Sequence, residues 1–222
     1  NVQEILDLGL HGYNLSRISG LWVGMKIVTN VADGSGTADV TPERMKFVTP
    51  DMMFDGKPFT PRMNMGMNVR AEALEMEQSL YTRRLEVARR YARENNLNNV
   101  VFPNADAWLG IITAGKTYHD LCQAFLEMGL DEAALRRYGI RILKMGMLFP
   151  MEPTVVREFA QGLEEIFVIE EKRPFLEMFA KNVLYGSANA PRIVGKFDEE
   201  EKELLPHYGE FESDVIARAL TQ

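Results

Sequence analysis

Residues 110–117 combine glycine, lysine and threonine in the way that nucleotide-binding loops use to hold phosphate. The run Gly-Ile-Ile-Thr-Ala-Gly-Lys-Thr matches G-x-x-x-x-G-K-[ST] at every position. In a nucleotide hydrolase, the residues between the two glycines form a loop whose N–H groups surround the phosphate. Here those residues, Ile111 to Ala114, continue an apolar run that begins at Trp108. The sequence therefore leaves two alternatives open, a phosphate-binding loop or a buried strand.

The strand alternative assigns different roles to the end of this motif. Gly115 would permit a tight strand-to-helix turn, and Thr117 would cap the helix that follows. A helix N-terminus attracts anions, so Gly115, Lys116 and Thr117 are also candidates for a site that contacts an anionic group.

A second cluster of charged residues follows another apolar run, where α/β sheets present ligands and interfaces. It consists of Glu170, Glu171, Lys172 and Arg173. Paired carboxylates can perform acid–base chemistry. However, adjacent residues on a strand point to opposite faces, so the two glutamates cannot share one proton. We interpret the cluster as surface ion pairs or a domain-contact edge, and we assign no catalytic residue.

The sequence predicts no metal site. Cys122 is the only cysteine, and His11, His119 and His207 are widely separated, so the usual ligand spacings for zinc or an iron–sulfur cluster are missing. Methionines are frequent between residues 52 and 67, where they favour adaptable packing against another domain over metal binding. These are Met52, Met53, Met63, Met65 and Met67.

Composition indicates a globular protein, with 222 residues of which 46% are hydrophobic and 26% are charged. The formal net charge of -7 gives no basic surface of the kind that binds nucleic acid. No apolar run reaches the roughly 20 residues that span a bilayer, and no secretory signal is present at Asn1. We expect no nucleic-acid or membrane partner, a cytoplasmic location, and an internal segment of a longer protein.

The first part of the chain predicts a partial α/β domain followed by a connector. Helical spacing runs from Val2 to Ser19, Gly20 ends it, and an apolar run from Leu21 to Val28 predicts a buried strand. Such a pair cannot bury both of its faces alone, which indicates the trailing edge of a preceding domain. Residues 32–68 are rich in turn residues, with one short strand predicted at Arg44 to Val48, and one long helix is predicted from Val69 to Glu94.

Residues 99–222 alternate strand and helix patterns, which predicts an α/β fold with a mainly parallel sheet. The predicted strands are Leu109 to Ala114, Ile140 to Met147, Ile166 to Glu170 and Arg192 to Gly195. The predicted helices are Tyr118 to Met128, Glu152 to Gln161, Phe175 to Tyr185 and Ser213 to Leu220, the last capped by Ser213.

An ordered series of segments resembles the indolepyruvate ferredoxin oxidoreductase family over nearly the whole chain. The segments are Gly9 to Tyr13, Ser16 to Val23, Leu109 to Tyr118, Lys144 to Met147, Phe149 to Pro153, Val168 to Pro174 and Arg192 to Lys196. The resemblance implies that residues 1–40 are the tail of the domain that holds the aminopyrimidine of thiamine diphosphate. It further implies a connector and long helix at 41–98 and a transketolase C-terminal-like domain at 99–222.

The family's reaction converts an aryl pyruvate, coenzyme A and oxidised ferredoxin into an aryl-acetyl-CoA, CO2 and reduced ferredoxin. The resemblance implies thiamine diphosphate, magnesium and iron–sulfur clusters in the full-length enzyme. This sequence lacks the family's G-D-G and asparagine motif, because Ala32-Asp33-Gly34 has no first glycine, and it lacks the cluster cysteines. We therefore expect none of these cofactors on this segment, which would be inactive alone and have a scaffold and assembly role.

The expected partners are other domains or subunits of the same enzyme, with ferredoxin and coenzyme A as partners of the whole. A homodimer is a further alternative, because a partial domain at 1–40 would expose apolar surface. Two other functions remain open: a P-loop nucleotide hydrolase, which requires Ile111 to Ala114 to form a loop, and a non-catalytic interaction module.

Overall fold

A computed structural model describes residues 1–61 and 70–222. The chain divides into two units, residues 1–96 and residues 97–222. The second unit contains a five-stranded sheet, and the first is built on helices.

The sheet of the second unit is mainly parallel, as the sequence predicts. Its strands are β3 (Asn98–Phe102), β4 (Leu109–Ala114), β5 (Ile140–Met145), β6 (Glu165–Ile169) and β7 (Arg192–Val194). The strand order is β3-β5-β4-β6-β7, and only β3 is antiparallel to its neighbour. Strand β4 is therefore central and is covered on both faces, which agrees with its continuous apolar sequence.

The helices of this unit pack on both faces of the sheet. They are α5 (Lys116–Glu127), α6 (Glu132–Arg137), α7 (Pro153–Ala160), α8 (Leu176–Leu184) and α9 (Ser213–Leu220). Alternate strand residues separate two cores: Ile111 packs with α5, α6 and α9, whereas Ile112 packs with α7 and α8. The chain thus leaves β4 toward one face and β5 toward the other.

Most predicted elements of this unit are confirmed within one or two residues at each end. The sequence patterns missed β3 and α6. Ser213 begins α9 but does not cap it, since the N-cap position is Glu212 and no side chain makes a capping bond there.

The first unit consists mainly of two helical segments. Helix α1 (Val2–Ser19) begins with a capping box formed by Asn1 and Glu4, and it ends at Gly20 in the left-handed conformation. The second segment comprises α3 (Arg70–Ser79), a π-helical turn (Leu80–Arg84) and α4 (Leu85–Glu94). This confirms the long helix over its described part, while Val69 and the methionines at 63, 65 and 67 lie outside the described residues.

Two predicted strands in the first unit are wrong. Residues 20–28 contain no helix or strand. Of the predicted strand at 44–48, Arg44 ends a 3-10 turn (Pro42–Arg44) and residues 45–48 form no helix or strand. Short elements that the patterns missed are α2 (Thr29–Ala32) and a hairpin of β1 (Met53–Phe54) and β2 (Lys57–Pro58). An extended apolar run becomes a strand only where a neighbouring strand accepts its hydrogen bonds, and the described chain offers none to residues 20–28.

Candidate functional site

The residues singled out in the sequence converge on one edge of the second unit, where the parallel strands β4, β6 and β7 end. Residues 115–117 follow β4, residues 170–173 follow β6, and Lys196 follows β7. In open α/β sheets this edge is where ligands bind, at the point where successive connections leave to opposite faces. Here that point lies between β4 and β6, because the chain leaves β4 toward β5 over one face and leaves β6 toward β7 over the other.

The phosphate-loop alternative is wrong because Ile111 to Ala114 lie in strand β4, which pairs with β5 as far as Ala114 and with β6 as far as Thr113. Gly110 serves close packing: a methyl group added there would lie 2.4 Å from Leu163 Cδ1 and 2.8 Å from Phe159 Cε1. Gly115 makes the turn into α5 with φ of +56°. Thr117 does not cap the helix, since its hydroxyl donates back to the carbonyl of Ala114 at 2.6 Å.

Lys116, the lysine of the candidate anion site, is already surrounded by acceptors. Its ammonium lies 2.8 Å from Asp120 Oδ2, donates to the Phe211 carbonyl at 2.7 Å, and lies 4.0 Å from Glu171 Oε1. Burial raises the pKa of the Asp120 carboxyl, and the hydrogen bond from Lys116 opposes that rise. Two carboxylates beside this ammonium disfavour a further anion, so the anion site at Gly115, Lys116 and Thr117 stays a prediction without a free cation to support it.

Glu170 is an internal helix cap, which corrects the interpretation of residues 170–173 as surface ion pairs. The Glu170 side chain is buried and accepts hydrogen bonds from three successive backbone groups at the start of α8. They are the N–H groups of Phe175, Leu176 and Glu177, at 2.9, 2.8 and 3.0 Å. A carboxylate at this position also interacts favourably with the helix dipole.

Glu171 and Lys172 bind the chain segment that precedes α9. Glu171 Oε1 accepts from the Phe211 N–H at 2.9 Å, and the Lys172 ammonium donates to the Gly209 carbonyl. As expected from their adjacency, the two glutamates point to different neighbours. Arg173 has an exposed side chain, and the domain-contact role of this cluster stays a prediction.

Lys196 is the principal residue that the sequence analysis missed as a site residue. Its side chain is 1% exposed, and the hydrogen bonds of its ammonium go to carbonyl groups. These acceptors are the carbonyls of Glu170 and Pro206, the latter at 3.0 Å, and the ammonium lies 4.8 Å from the centroid of the Phe211 ring. Burial lowers the pKa of Lys196, partly offset by nearby glutamates.

Four charged side chains at this edge bind the same short segment of the chain. They belong to Lys116, Glu171, Lys172 and Lys196. All four hold parts of residues 206–211, which carry the buried side chain of Phe211. We call residues 197–211 the covering segment, because they connect β7 to α9 across the edge where the strands end. The charged groups at this edge therefore stabilise the fold of the chain itself.

Apolar side chains lie beside the same edge after β5 and at the start of α8. Phe149 is 57% exposed and contacts Phe179 at a ring distance of 5.9 Å, and Phe179 contacts Phe175 at 5.0 Å. Met178, also in α8, is 54% exposed. Exposed aromatic surface of this kind is typical of contacts with other protein surfaces.

A shallow cavity of about 370 Å³ lies away from these residues. It is lined by residues at the end of β3, the start of β5 and along α7, including Val100, Arg141 and Phe159. No residue proposed from the sequence borders it.

The described residues contain no group of three or more metal-ligating side chains. His11 lies 2.8 Å from the buried Tyr91 hydroxyl, and burial lowers the pKa of the histidine. His207 lies 3.6 Å from Glu203. Across the same described ranges, no helix is both long and apolar enough to cross a membrane.

The second unit matches the sequence of a known enzyme family. The sequence profile of the indolepyruvate oxidoreductase domain matches residues 99–222, which include the whole candidate edge. The chain belongs to this family. The match confirms the resemblance seen in the sequence segments.

Relatives of the indolepyruvate oxidoreductase family match far beyond that domain. The indolepyruvate oxidoreductase subunit IorA of Methanothermobacter thermautotrophicus is 28% identical over 220 residues, which are 99% of this chain and 32% of that protein. IorA of Pyrococcus horikoshii is 24% identical over 204 residues, 87% of this chain and 30% of that protein. The chain thus spans about a third of the length of these relatives.

Two solved structures show partial likeness. One is a 2-oxoglutarate:ferredoxin oxidoreductase from Magnetococcus marinus, with 2-oxoglutarate, coenzyme A and succinyl-CoA bound. It is 16% identical, has a TM-score of 0.44, and covers 69% of this chain and 23% of that one. The other is a split-gene transketolase, an inactive β4 tetramer, with 18% identity, a TM-score of 0.39 and coverage of 56% and 40%.

Proposed function

We propose that this chain is a scaffold portion of an oxidoreductase that oxidatively decarboxylates an aryl pyruvate of the indolepyruvate type. The products are the acyl-CoA, CO2 and reduced ferredoxin. The observation that carries the proposal is the family match over residues 99–222. The alignment of 99% of the chain with a subunit of indolepyruvate oxidoreductase extends the support to the first unit.

A scaffold role agrees with the way the charged groups are used. The cations at the sheet edge, Lys116, Lys172 and Lys196, donate to carbonyls of residues 206–211 or of Glu170. A diphosphate does not fit beside Lys116, since Asp120 and Glu171 already occupy its surroundings. We therefore assign thiamine diphosphate, magnesium and iron–sulfur clusters to other parts of the full-length enzyme and derive no chemical step on this chain.

The domain boundaries and partners are part of the same proposal. Residues 1–40 are assigned to the tail of the domain that binds the thiamine pyrimidine, residues 41–98 to a connector and long helix, and residues 99–222 to a transketolase C-terminal-like domain. The exposed apolar surface at Phe149 and Met178 is available for contacts with neighbouring domains or subunits. Ferredoxin and coenzyme A are proposed as partners of the full-length enzyme only.

The test is an assay of the full-length subunit purified with its partner subunits. We expect coenzyme A-dependent ferredoxin reduction with indolepyruvate and phenylpyruvate, and much slower reduction with pyruvate or 2-oxoglutarate. Liquid chromatography should detect the matching aryl-acetyl-CoA. The 222-residue chain alone should neither reduce ferredoxin nor bind thiamine diphosphate in a calorimetric titration.

Several outcomes contradict the proposal. A preference for 2-oxoglutarate would overturn the substrate class, and tight thiamine diphosphate binding by the isolated chain would overturn the scaffold role. An assembly that lacks 2-oxoacid oxidation altogether, although it carries its cofactors, would favour the non-catalytic interaction module.

A further inference from the structure

The shallow cavity of the second unit lies at the end of the sheet opposite to the candidate edge. Arg141, which lines the cavity, is the second residue of β5, and β5 runs parallel to β4. The cavity is therefore beside the start of a parallel strand, whereas the candidate edge is where such strands end. A molecule bound in this cavity would lie away from that edge.

The size and lining of the cavity suit a small, mostly apolar molecule. Its volume of about 370 Å³ falls within the range of roughly 300–1,000 Å³ that is usual for small-molecule sites. Five of its eight lining residues are apolar, so the body of a ligand would also be apolar. They are Val100, Pro103, Ala105, Val155 and Phe159.

One wall of the cavity is held in place by hydrogen bonds within the chain. Arg136 Nη1 donates to the Pro103 carbonyl at 2.9 Å, and Asn104 Nδ2 donates to the Arg136 carbonyl at 3.1 Å. Asn104 Oδ1 accepts from the N–H of Asp106 at 3.2 Å. This loop is thus fixed before a ligand arrives, which lowers the entropic cost of binding.

Arg141 places a positive charge on a side of β5 that faces the protein interior. Its neighbours Ile140 and Ile142 pack in the core with α5, α6 and α9, so Arg141 points to the opposite face, toward α7. Burial lowers the pKa of the Arg141 guanidinium, and no charged neighbour in the described part of the chain offsets this effect. Buried charges in proteins are normally paired with an opposite charge.

A structural role in ending α7 accounts for only part of this guanidinium. Arg141 Nη2 donates to the carbonyl of Gln161, the residue that ends the helix, at 2.8 Å. The guanidinium carries five N–H donors, and its Nε group is buried without a hydrogen-bond partner among residues 1–61 and 70–222. Its charge therefore remains available to an anion.

We infer that this cavity binds a small carboxylic acid with an apolar body, and that the carboxylate pairs with the Arg141 guanidinium. Guanidinium and carboxylate groups match in charge and in planar geometry. Glu158 also lines the cavity, but its side chain is exposed, so water screens its repulsion of the ligand. The inference rests on the cavity and is independent of the reaction proposed above.

Methyl NMR of the full-length protein labelled at valine tests the inference with phenylacetate as the probe. The methyl signals of Val100 and Val155 should shift in a saturable way, with a dissociation constant of about 1–10 mM for so small a ligand. Val194 lies in the core on the other face of the sheet, and its signals should stay unchanged. Neutral phenylacetamide has the same shape without the charge and should bind at least about 10-fold more weakly.

Three outcomes of this titration would overturn the inference. The first is the absence of a saturable shift at Val100 and Val155, and the second is equal binding of phenylacetate and phenylacetamide. The third is a shift in the 222-residue chain that is absent from the full-length protein, because another part of the polypeptide would then fill the cavity.

Substitutions at Arg141 and on α7 locate the charge that binds the probe. Arg141→Gln should weaken phenylacetate binding at least about 10-fold, whereas Arg157→Gln, on an exposed part of α7 outside the cavity, should leave it unchanged. Thermal unfolding shows whether Arg141→Gln is folded. Glu158→Gln removes the exposed carboxylate and should bind phenylacetate equally or up to about 5-fold more tightly, independently of that result. Unchanged binding by folded Arg141→Gln, or weaker binding by Glu158→Gln, would contradict the pairing with Arg141.

Discussion

Replacing Lys196 with methionine tests whether the covering segment is held by a buried ammonium. Methionine keeps an unbranched apolar side chain of similar length, so it removes the charge with little change in volume. The ammonium donates to the carbonyls of Glu170 and Pro206 and lies over the Phe211 ring. Lys196→Met therefore leaves two carbonyl acceptors without this donor, one in a buried and one in a partly buried position.

The expected cost follows from these contacts. A hydrogen bond to a charged group contributes about 1.5–3 kcal/mol, and the contact with an aromatic ring about 1 kcal/mol. Removing a buried charge also relieves its desolvation penalty, which acts in the opposite direction. We expect Lys196→Met to lower the free energy of unfolding of the second unit by about 2–3 kcal/mol.

Urea unfolding monitored by tryptophan fluorescence measures this cost. The two tryptophans lie in different units, so a Trp22→Phe background leaves Trp108 as the reporter for the second unit. Lys202 is an exposed lysine in the covering segment, and Lys202→Met is the matched control with an expected change below about 0.5 kcal/mol. If Lys196→Met costs no more than the control, the ammonium does not hold the segment and our account of this edge is wrong.

Three further predictions concern the same unit. Burial lowers the pKa of Lys196 from 10.5, so the unfolded state binds the proton more tightly than the folded state. The free energy of unfolding of the wild type, relative to that of Lys196→Met, should therefore rise between about pH 7 and about pH 9.5. Urea titrations at both pH values measure this difference, and a constant difference would contradict the prediction. Glu170→Gln, which weakens the cap of α8, should lower the free energy of unfolding by about 1–2 kcal/mol, whereas Glu199→Gln on the exposed surface should change it little. Gly110→Ala places a methyl group 2.4 Å from Leu163, so it should lower the free energy of unfolding by about 1–3 kcal/mol, measured by urea unfolding. An unchanged free energy of unfolding would show that the core relaxes easily there.

The alternation of strand and helix between residues 109 and 220 was predictable because most elements there are long or strongly patterned. The apolar residues between Gly110 and Gly115 made a strand one of two alternatives, and the pairing of β4 with β5 and β6 confirms the strand. Strand β3 was missed because its middle residues are exposed at the sheet edge, which gives no buried pattern. Helix α6 was missed because six residues are too few for a helical repeat to be seen.

The site was less predictable than the fold, since it depends on contacts between residues far apart in the chain. Adjacency alone showed that Glu170 and Glu171 point to different neighbours. It could not show that Glu170 caps α8, because the capping groups begin five residues later at Phe175. Lys196 follows a three-residue strand and carries no motif, and its role arises from carbonyls 26 and 10 residues away.

The π-helical turn at Leu80–Arg84 determines which side of α3 lies in line with the buried side of α4. The N–H of Leu85 bonds to the carbonyl of Leu80, five residues back, so this turn contains one residue more than an α-helical turn. One extra residue rotates everything before it by about 100° relative to α4. Helix α4 buries Val87 and Tyr91, whereas α3 buries no residue, so the two halves do not share one apolar stripe. A homologue that lacks one residue here would have an uninterrupted α-helix and would present a different side of residues 70–79 to the same neighbours.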